Sequence, residues 1–145
     1  SWSNRMAFPQ MRHDDCMVSL YRFADGAIAK VAALYGPRRR MAPFYNLRVY
    51  GTAGTVEQDQ IAVAADPAQL HPDFAPVAAE RPSGHPYEPE IADWLDAILE
   101  ERPPRTPLLD GAQSTLAALC AVESARTGRE VAVPQLEAAA ADEGS

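Results

Sequence analysis

The sequence predicts an α+β fold, with one open, mostly antiparallel β-sheet of about five to six strands and two helices packed on one face. The first half holds short runs rich in β-branched and aromatic residues, joined by short connections, which is typical of an antiparallel sheet. The second half holds two runs with apolar residues at helical spacing. With 145 residues and 47% hydrophobic content, the chain is long enough to bury a core.

The strands are predicted from period-two patterns bounded by turn residues. Ala24-Asp25 lies between the first two runs. With Gly26 following, Asp-Gly is a strong hairpin signal, because this pair favours the tight turns that match strand twist. Neither of these two strands has a wholly polar side, so we expect both sheet faces to be at least partly covered. The predicted strands are 15–23, 26–35, 44–50, 55–58, 61–64 and 129–134.

Two helices are predicted after a proline-rich connector at 66–84. The first opens at Glu88-Pro89-Glu90 and stops before Pro103, and its apolar stripe, which includes Trp94, is expected to belong to the core. For the second helix we expect Asp110 as N-cap with Gln113 completing a capping box, and Gly128 as a left-handed C-cap. Residues 1–134 are predicted as one domain, and the Ala/Glu-rich segment 135–145 as a flexible tail.

Charge and cysteine content exclude several classes of function. The net charge of −7 disfavours binding to nucleic acid or to an anionic membrane, because such a surface repels phosphate groups. Cys16 and Cys120 lie far apart with no CxxC pattern, so we expect neither a disulfide nor a zinc site. The sequence shows no secretory signal pattern, which predicts a cytoplasmic protein. It begins without methionine, which suggests a piece of a longer chain.

No phosphate-binding glycine motif, nucleophile elbow or zinc-protease motif occurs in the sequence. His13-Asp14-Asp15 is a weak candidate for a metal or acid–base site. Neighbouring residues of an extended strand point to opposite faces and no third ligand lies nearby, so a polar strand entry is the preferred interpretation. We predict no catalytic, cofactor-binding or metal-binding residue in this chain.

Six residues are candidates for lining a substrate pocket. The arginine run 38–40 could hold a carboxylate or phosphate, although a solvated loop is the simpler interpretation. His85 and Tyr87 could present an acid–base group and a hydroxyl at the start of a helix, or the aromatic ring could simply pin the loop to the helix. The six candidates are Arg38, Arg39, Arg40, Tyr45, His85 and Tyr87.

Several short motifs occur in an order that resembles a known family. In the first half they are Phe23-Ala24-Asp25-Gly26-Ala27 and the segment 49–56, VYGTAGTV. In the second half they are Ala97-Ile98, a proline-containing loop at 103–107, Asp110-Gly111, Ser124, Gly128, Val131 and Pro134. Each motif is weak by itself, but together, over about residues 15–134, they resemble the C-terminal domain of the Gfo/Idh/MocA oxidoreductases.

The resemblance implies an enzyme that pairs an N-terminal Rossmann domain, which binds NAD or NADP, with this α+β domain. It implies hydride transfer at a carbon bearing a hydroxyl group, on a sugar or a cyclitol. The family's EKP-type lysine motif does not occur here, nor does its Asp…His helix, and His13 does not match that position. We therefore expect this chain to line the substrate pocket, to form a homodimer through the sheet face, and to be inactive alone.

Two alternative functions stay open at this point. One is a free-standing, non-enzymatic module that acts by dimerisation or ligand binding. The other is a self-contained small-molecule enzyme that uses the arginine run 38–40 together with His85 and Tyr87. The coding sequence upstream of residue 1 distinguishes the free-standing module from a domain of an oxidoreductase. Substitution of His85 and Tyr87 distinguishes the self-contained enzyme from a chain in which these residues only stabilise the fold.

Overall fold

The structure, a computed structural model, describes residues 1–36, 45–66, 68–78 and 87–137. The chain divides into two compact units. The first consists of Ser1–Arg38 and Pro89–Ser145, and the second of Arg39–Glu88.

The first unit contains a three-stranded antiparallel sheet with strand order β1-β2-β3. Its strands are β1 (Trp2–Asn4), β2 (Cys16–Arg22) and β3 (Ile28–Leu34). The predicted turn between β2 and β3 is confirmed. Gly26 lies there at φ 92°, a conformation that is costly for residues with a Cβ, and its N–H donates to the carbonyl of Phe23 at 3.1 Å. This turn sets a register in which Ser19 lies opposite Val31.

Helices α1 (Tyr87–Leu99) and α2 (Leu108–Thr127) follow. Helix α2 lies over part of one face of the three-stranded sheet, on the side of β1 and β2. On the same face, Val31 of β3 is 55% exposed. The Tyr21 hydroxyl donates to the carbonyl of Ala117 at 3.2 Å, and the amino group of Ser1 donates to Oγ of Ser124 at 3.0 Å. Ser19, two residues before Tyr21 on the same face of β2, is buried. Helix α2 ends at Gly128 in the left-handed conformation, as predicted.

Two local predictions in this unit are wrong. The N-cap of α2 is Pro107, and Asp110 lies inside the first turn, where its charge favours the positive helix end. Residues 129–134 do not form a strand. They run beside α2, where the Gln113 side chain donates to the carbonyl of Pro134 at 2.9 Å and accepts from the N–H of Leu136 at 2.8 Å. One side chain thus supplies hydrogen bonds that a neighbouring strand would otherwise provide.

The second unit contains a four-stranded antiparallel sheet with order β4-β5-β6-β7. Val49 of β4, Val56 of β5 and Ile61 of β6 lie side by side across it. On the other face, Ala62 is buried opposite Thr55. The strands are β4 (Arg48–Tyr50), β5 (Gly54–Glu57), β6 (Gln60–Val63) and β7 (Ala75–Pro76).

The predicted fold class is confirmed: the protein is α+β, with open antiparallel sheets and two helices. The strands are divided between two sheets, whereas the prediction placed them in one. Strands β1 and β7, which were not predicted, are three and two residues long, too short to show a period in the sequence.

Candidate functional site

Four of the six predicted pocket residues, Arg38, Arg39, Arg40 and His85, lie outside the described residues. Tyr87 opens α1 and is largely exposed. Tyr45 precedes β4, and its ring is also largely exposed. The backbone beside it is held by Gln58, which donates to the carbonyl of Tyr45 at 3.3 Å and accepts from the N–H of Leu47 at 3.1 Å.

Asp15 forms the most tightly built polar centre of the first unit. Its side chain is buried, with 2% of the residue exposed. Oδ2 accepts hydrogen bonds from the N–H groups of Phe8 at 2.7 Å and Ala7 at 3.0 Å. The Phe8 bond is the main cause that lowers the pKa of this carboxyl below 3.8, because it favours the charged form. Burial partly opposes this change.

Asp15 also joins neighbouring strands at the end of the sheet. Its N–H donates to the carbonyl of Asn4, and its carbonyl accepts from the N–H of Tyr35, each at 3.0 Å. Gly36 completes the packing, since a Cβ there would lie 2.6 Å from the Cβ of Ala7 and 3.4 Å from Oδ1 of Asp15. The carboxylate therefore fastens the loop that carries Ala7 to the sheet.

This geometry favours the interpretation of His13-Asp14-Asp15 as a polar strand entry. Asp14 lies on the other side of the chain and accepts a short hydrogen bond from Oγ of Ser3, while His13 is exposed. Across the described ranges, no three His, Cys, Asp or Glu side chains are grouped so that they could hold a metal ion. Asp15 is thus a structural carboxylate, and its burial gave no signal in the sequence.

The least exposed side of helix α1 is opposite to the one that the sequence suggested. Asp93 and Ala97, one turn apart, lie on the side that contacts the following loop, and Ala97 is 3% exposed. Trp94, expected in the core, is 57% exposed, and its neighbours on that stripe, Ile91 and Ile98, are also exposed. The prediction of a core tryptophan is wrong: the side of α1 that carries Asp93 contacts the loop after the helix, and the apolar stripe stays exposed.

Asp93 makes polar contacts with that loop. Its Oδ2 accepts the backbone N–H of Arg105 at 2.8 Å, and its Oδ1 lies 3.1 Å from the Arg102 guanidinium. The Arg105 bond is the largest cause that lowers the pKa of the Asp93 carboxyl, and the charge of Arg102 adds to it. The loop between the two helices is therefore tied back to α1.

An open apolar groove lies on the four-stranded sheet. It has a volume of about 380 Å³, and its lining includes Val49, Val56 and Ile61 together with the turn Gly51–Gly54. The N–H of Gly51 donates to the carbonyl of Gly54 at 2.8 Å, so the turn closes a hairpin between antiparallel strands. The glycine-rich turn of a Rossmann dinucleotide site leads from a strand into a helix. The turn Gly51–Gly54 joins two antiparallel strands and is not of that type.

The outer face of the three-stranded sheet, opposite α2, is a candidate for an interaction surface. We define this outer face by Trp2, Leu20, Ile28 and Leu34, which alternate with the helix-covered residues along the strands. All four are exposed, Trp2 to 71% and Ile28 to 74%. Arg22 and Lys30 share this face. Exposed apolar residues grouped on one face are a candidate interaction site. The sequence predicted this surface, because neither side of β2 and β3 is wholly polar.

Comparisons with protein-family models, with curated proteins and with solved structures found no match for this chain. In the part of the chain that the structure describes, neither helix has the length and apolar character needed to cross a membrane.

Proposed function

We propose that residues 1–134 are the C-terminal substrate and dimerisation domain of a cytoplasmic NAD(P)-dependent oxidoreductase of the Gfo/Idh/MocA type. In this proposal the parent enzyme transfers a hydride between the nicotinamide and a CH–OH carbon of a sugar or cyclitol. The nucleotide and the catalytic groups belong to a Rossmann domain elsewhere in the parent enzyme. The present chain contributes a pocket wall and a surface for assembly, and is inactive alone.

The observation that carries the assembly role is the difference between the two faces of the three-stranded sheet. Helix α2 lies over β1 and β2 on one face, while Trp2, Leu20 and Ile28 are exposed on the opposite face, which also carries Arg22 and Lys30. Full burial of a side chain of this size contributes about 1.5–3 kcal/mol, so covering this face gives a substantial driving force. A second copy is the proposed cover, because a two-fold axis pairs the same apolar patch with itself.

The oxidoreductase assignment is supported by where the motifs of the resemblance lie in the fold. The first glycine motif forms the β2–β3 turn, where Gly26 has a positive φ. The motif at 49–56 forms the β4–β5 hairpin, closed by the bond from Gly51 to Gly54. The last motif contains Gly128 at the end of α2. Each glycine of these motifs thus lies where a turn, a hairpin or a helix cap needs it.

Reading the coding sequence upstream of residue 1, then assaying the complete gene product, tests the enzymatic part. We expect a dinucleotide-binding fingerprint there, and oxidation of sugars or cyclitols with NAD or NADP by the complete polypeptide only. Turnover by the 145-residue chain alone would overturn the assignment in favour of a self-contained enzyme. A start codon immediately before residue 1, with no upstream domain, would overturn it in favour of a free-standing dimerisation or ligand-binding module.

Light scattering on the chain tests the assembly part. Leu20→Asp places a charge at the centre of the outer face, and we expect it to convert a dimer into a monomer. Leu119→Asp is the matched control, because Leu119 is a similarly exposed leucine on α2, away from the outer face. A wild-type chain that stays monomeric at high concentration, or equal effects of the two substitutions, would contradict the proposed dimer.

A further inference from the structure

The apolar side of helix α1 lies uncovered in this structure. Ile91, Trp94, Leu95 and Ile98 follow one another at helical spacing and form a stripe, which we call the α1 stripe. Their exposed fractions lie between 48% and 57%. Among the helices and strands that the structure describes, none packs extensively against α1. An amphipathic helix owes most of its stability to burial of its apolar side, so we expect the α1 stripe to have a partner.

The α1 helix and the outer face of the three-stranded sheet carry charges of opposite sign. Helix α1 contains no basic residue, and its acidic residues are Glu88, Glu90, Asp93 and Asp96. On the paired strands, the charged residues of the outer face are Arg22 and Lys30, both basic. Arg22 already lies 2.8 Å from Glu130. Both surfaces are therefore apolar and exposed, and their charges are complementary.

Lys30 and Glu90 are placed to form an ion pair between these surfaces. Lys30 lies directly across the sheet from Leu20, at the centre of the outer face. Glu90 precedes Trp94 by one helical turn and so lies at the border of the α1 stripe. Both charged residues are exposed, and neither forms an ion pair with another described residue.

A second copy of the chain carries the surface that each of these two surfaces lacks. In one molecule the α1 stripe and the outer face are exposed at the same time, so neither covers the other. Contact between two α1 helices would bring acidic side chains of both copies together, which weakens association. Contact between α1 and the outer face instead joins opposite charges. A two-fold axis repeats each contact, so one kind of contact covers both surfaces in both copies.

We propose that the α1 stripe of one copy lies on the outer face of a second copy, with Glu90 beside Lys30 of that copy. The exchange is reciprocal, and each three-stranded sheet then has helices on both of its faces. This inference rests on the assembly part of the proposed function, and it names α1 as the element that covers the outer face. It does not require the oxidoreductase assignment.

Charge reversals on separate chains test this contact. Lys30→Glu and Glu90→Lys each place like charges together at both contacts of the dimer, so we expect each to lower the association constant about tenfold or more. In a mixed dimer of the two variants, opposite charges meet at both contacts. We therefore expect their equimolar mixture to associate within about threefold of the wild type. Sedimentation equilibrium of the 145-residue chains measures all of these constants.

Asp96→Lys is the matched control for Glu90→Lys. It makes the same change of charge on the same helix, but Asp96 follows Trp94 by two residues and lies on the side away from the α1 stripe. A mixture of Asp96→Lys with Lys30→Glu should therefore not restore association. Restoration by both α1 variants, or by neither, would overturn the proposal. A wild-type dimer that Leu20→Asp dissociates and Glu90→Lys leaves unchanged would also overturn it, while the assembly part of the proposed function would stand.

The fluorescence of Trp94 gives a second test that leaves the charges unchanged. The chain contains two tryptophans, so in Trp2→Phe all tryptophan emission comes from Trp94. We expect this emission to shift to shorter wavelength as the protein concentration rises through the dissociation constant, and to stay constant when Leu20→Asp is added. A dimer in which the emission of Trp94 does not shift would overturn the helix contact. A wild-type chain that stays monomeric would overturn both this contact and the proposed dimer. Should Trp2→Phe itself fail to associate, the charge exchange decides.

Discussion

The two faces of the three-stranded sheet are built from the same alternating strands, yet they differ in what covers them. On one face, Tyr21 bonds to a carbonyl of α2 and Ser19 is buried. On the other, Leu20 and Ile28 are exposed. Adjacent residues of one strand thus have different roles. The covered face stabilises the fold, whereas the outer face is available to a partner. This difference predicts that substitutions on the covered face change the free energy of unfolding, whereas substitutions on the outer face change association.

The largest effect is expected at the start of β2, where Asp14 and Asp15 point to opposite sides. Asp15→Ala removes the acceptor for the N–H groups of Ala7 and Phe8 and leaves a space beside Gly36. Unpaired buried donors are costly, so we expect this variant to show the lowest unfolding midpoint of the set. Asp14→Ala, which loses one exposed bond to Ser3, is the control and should stay close to wild type. Similar midpoints for both variants in urea would show that Asp15 is not the anchor of this loop.

The next effect compares Tyr21 with Leu20 on the two faces of β2. Tyr21→Ala removes a half-buried ring and its bond to the carbonyl of Ala117, so we expect a loss of about 2 kcal/mol in unfolding free energy. Leu20→Ala is expected to change that free energy by less than about 0.5 kcal/mol under monomeric conditions. Both are measured by chemical denaturation at low protein concentration. A larger loss for Leu20→Ala would mean that the outer face is packed within the monomer.

These comparisons show which parts of the molecule the sequence could predict. The hairpin at Gly26 and the left-handed cap at Gly128 were predictable because local conformation alone dictates them. The apolar outer face was also predictable, since alternation along a strand is a local pattern. Whether the strands form one sheet or two was not predictable, because strand pairing depends on contacts between residues far apart in the chain.

The two aspartates that anchor the first unit, Asp15 and Asp93, were not predictable. Asp15 became important through amides of residues seven and eight positions away, and Asp93 through an N–H twelve residues away. No rule of residue spacing links an aspartate to backbone N–H groups at such separations along the chain. The prediction for Trp94 failed at the same place, because the loop with Arg102 and Arg105 contacts the Asp93 side of α1 and leaves Trp94 57% exposed.

The smallest expected effect is the change in stability that follows protonation of Asp15 and Asp93 at low pH. Hydrogen bonds lower the pKa of both carboxyls below the ordinary value of 3.8, chiefly from the N–H of Phe8 for Asp15 and from that of Arg105 for Asp93. A carboxyl whose pKa is lower in the folded state than in the unfolded state stabilises the fold at a pH above its unfolded pKa. This stabilisation is lost as the pH falls through its folded pKa. We therefore expect the stability difference between wild type and Asp15→Asn to be constant at neutral pH and to shrink below about pH 4. Chemical denaturation of both proteins from pH 7 to pH 3 measures it, and a difference that grows as the pH falls would contradict the assigned direction.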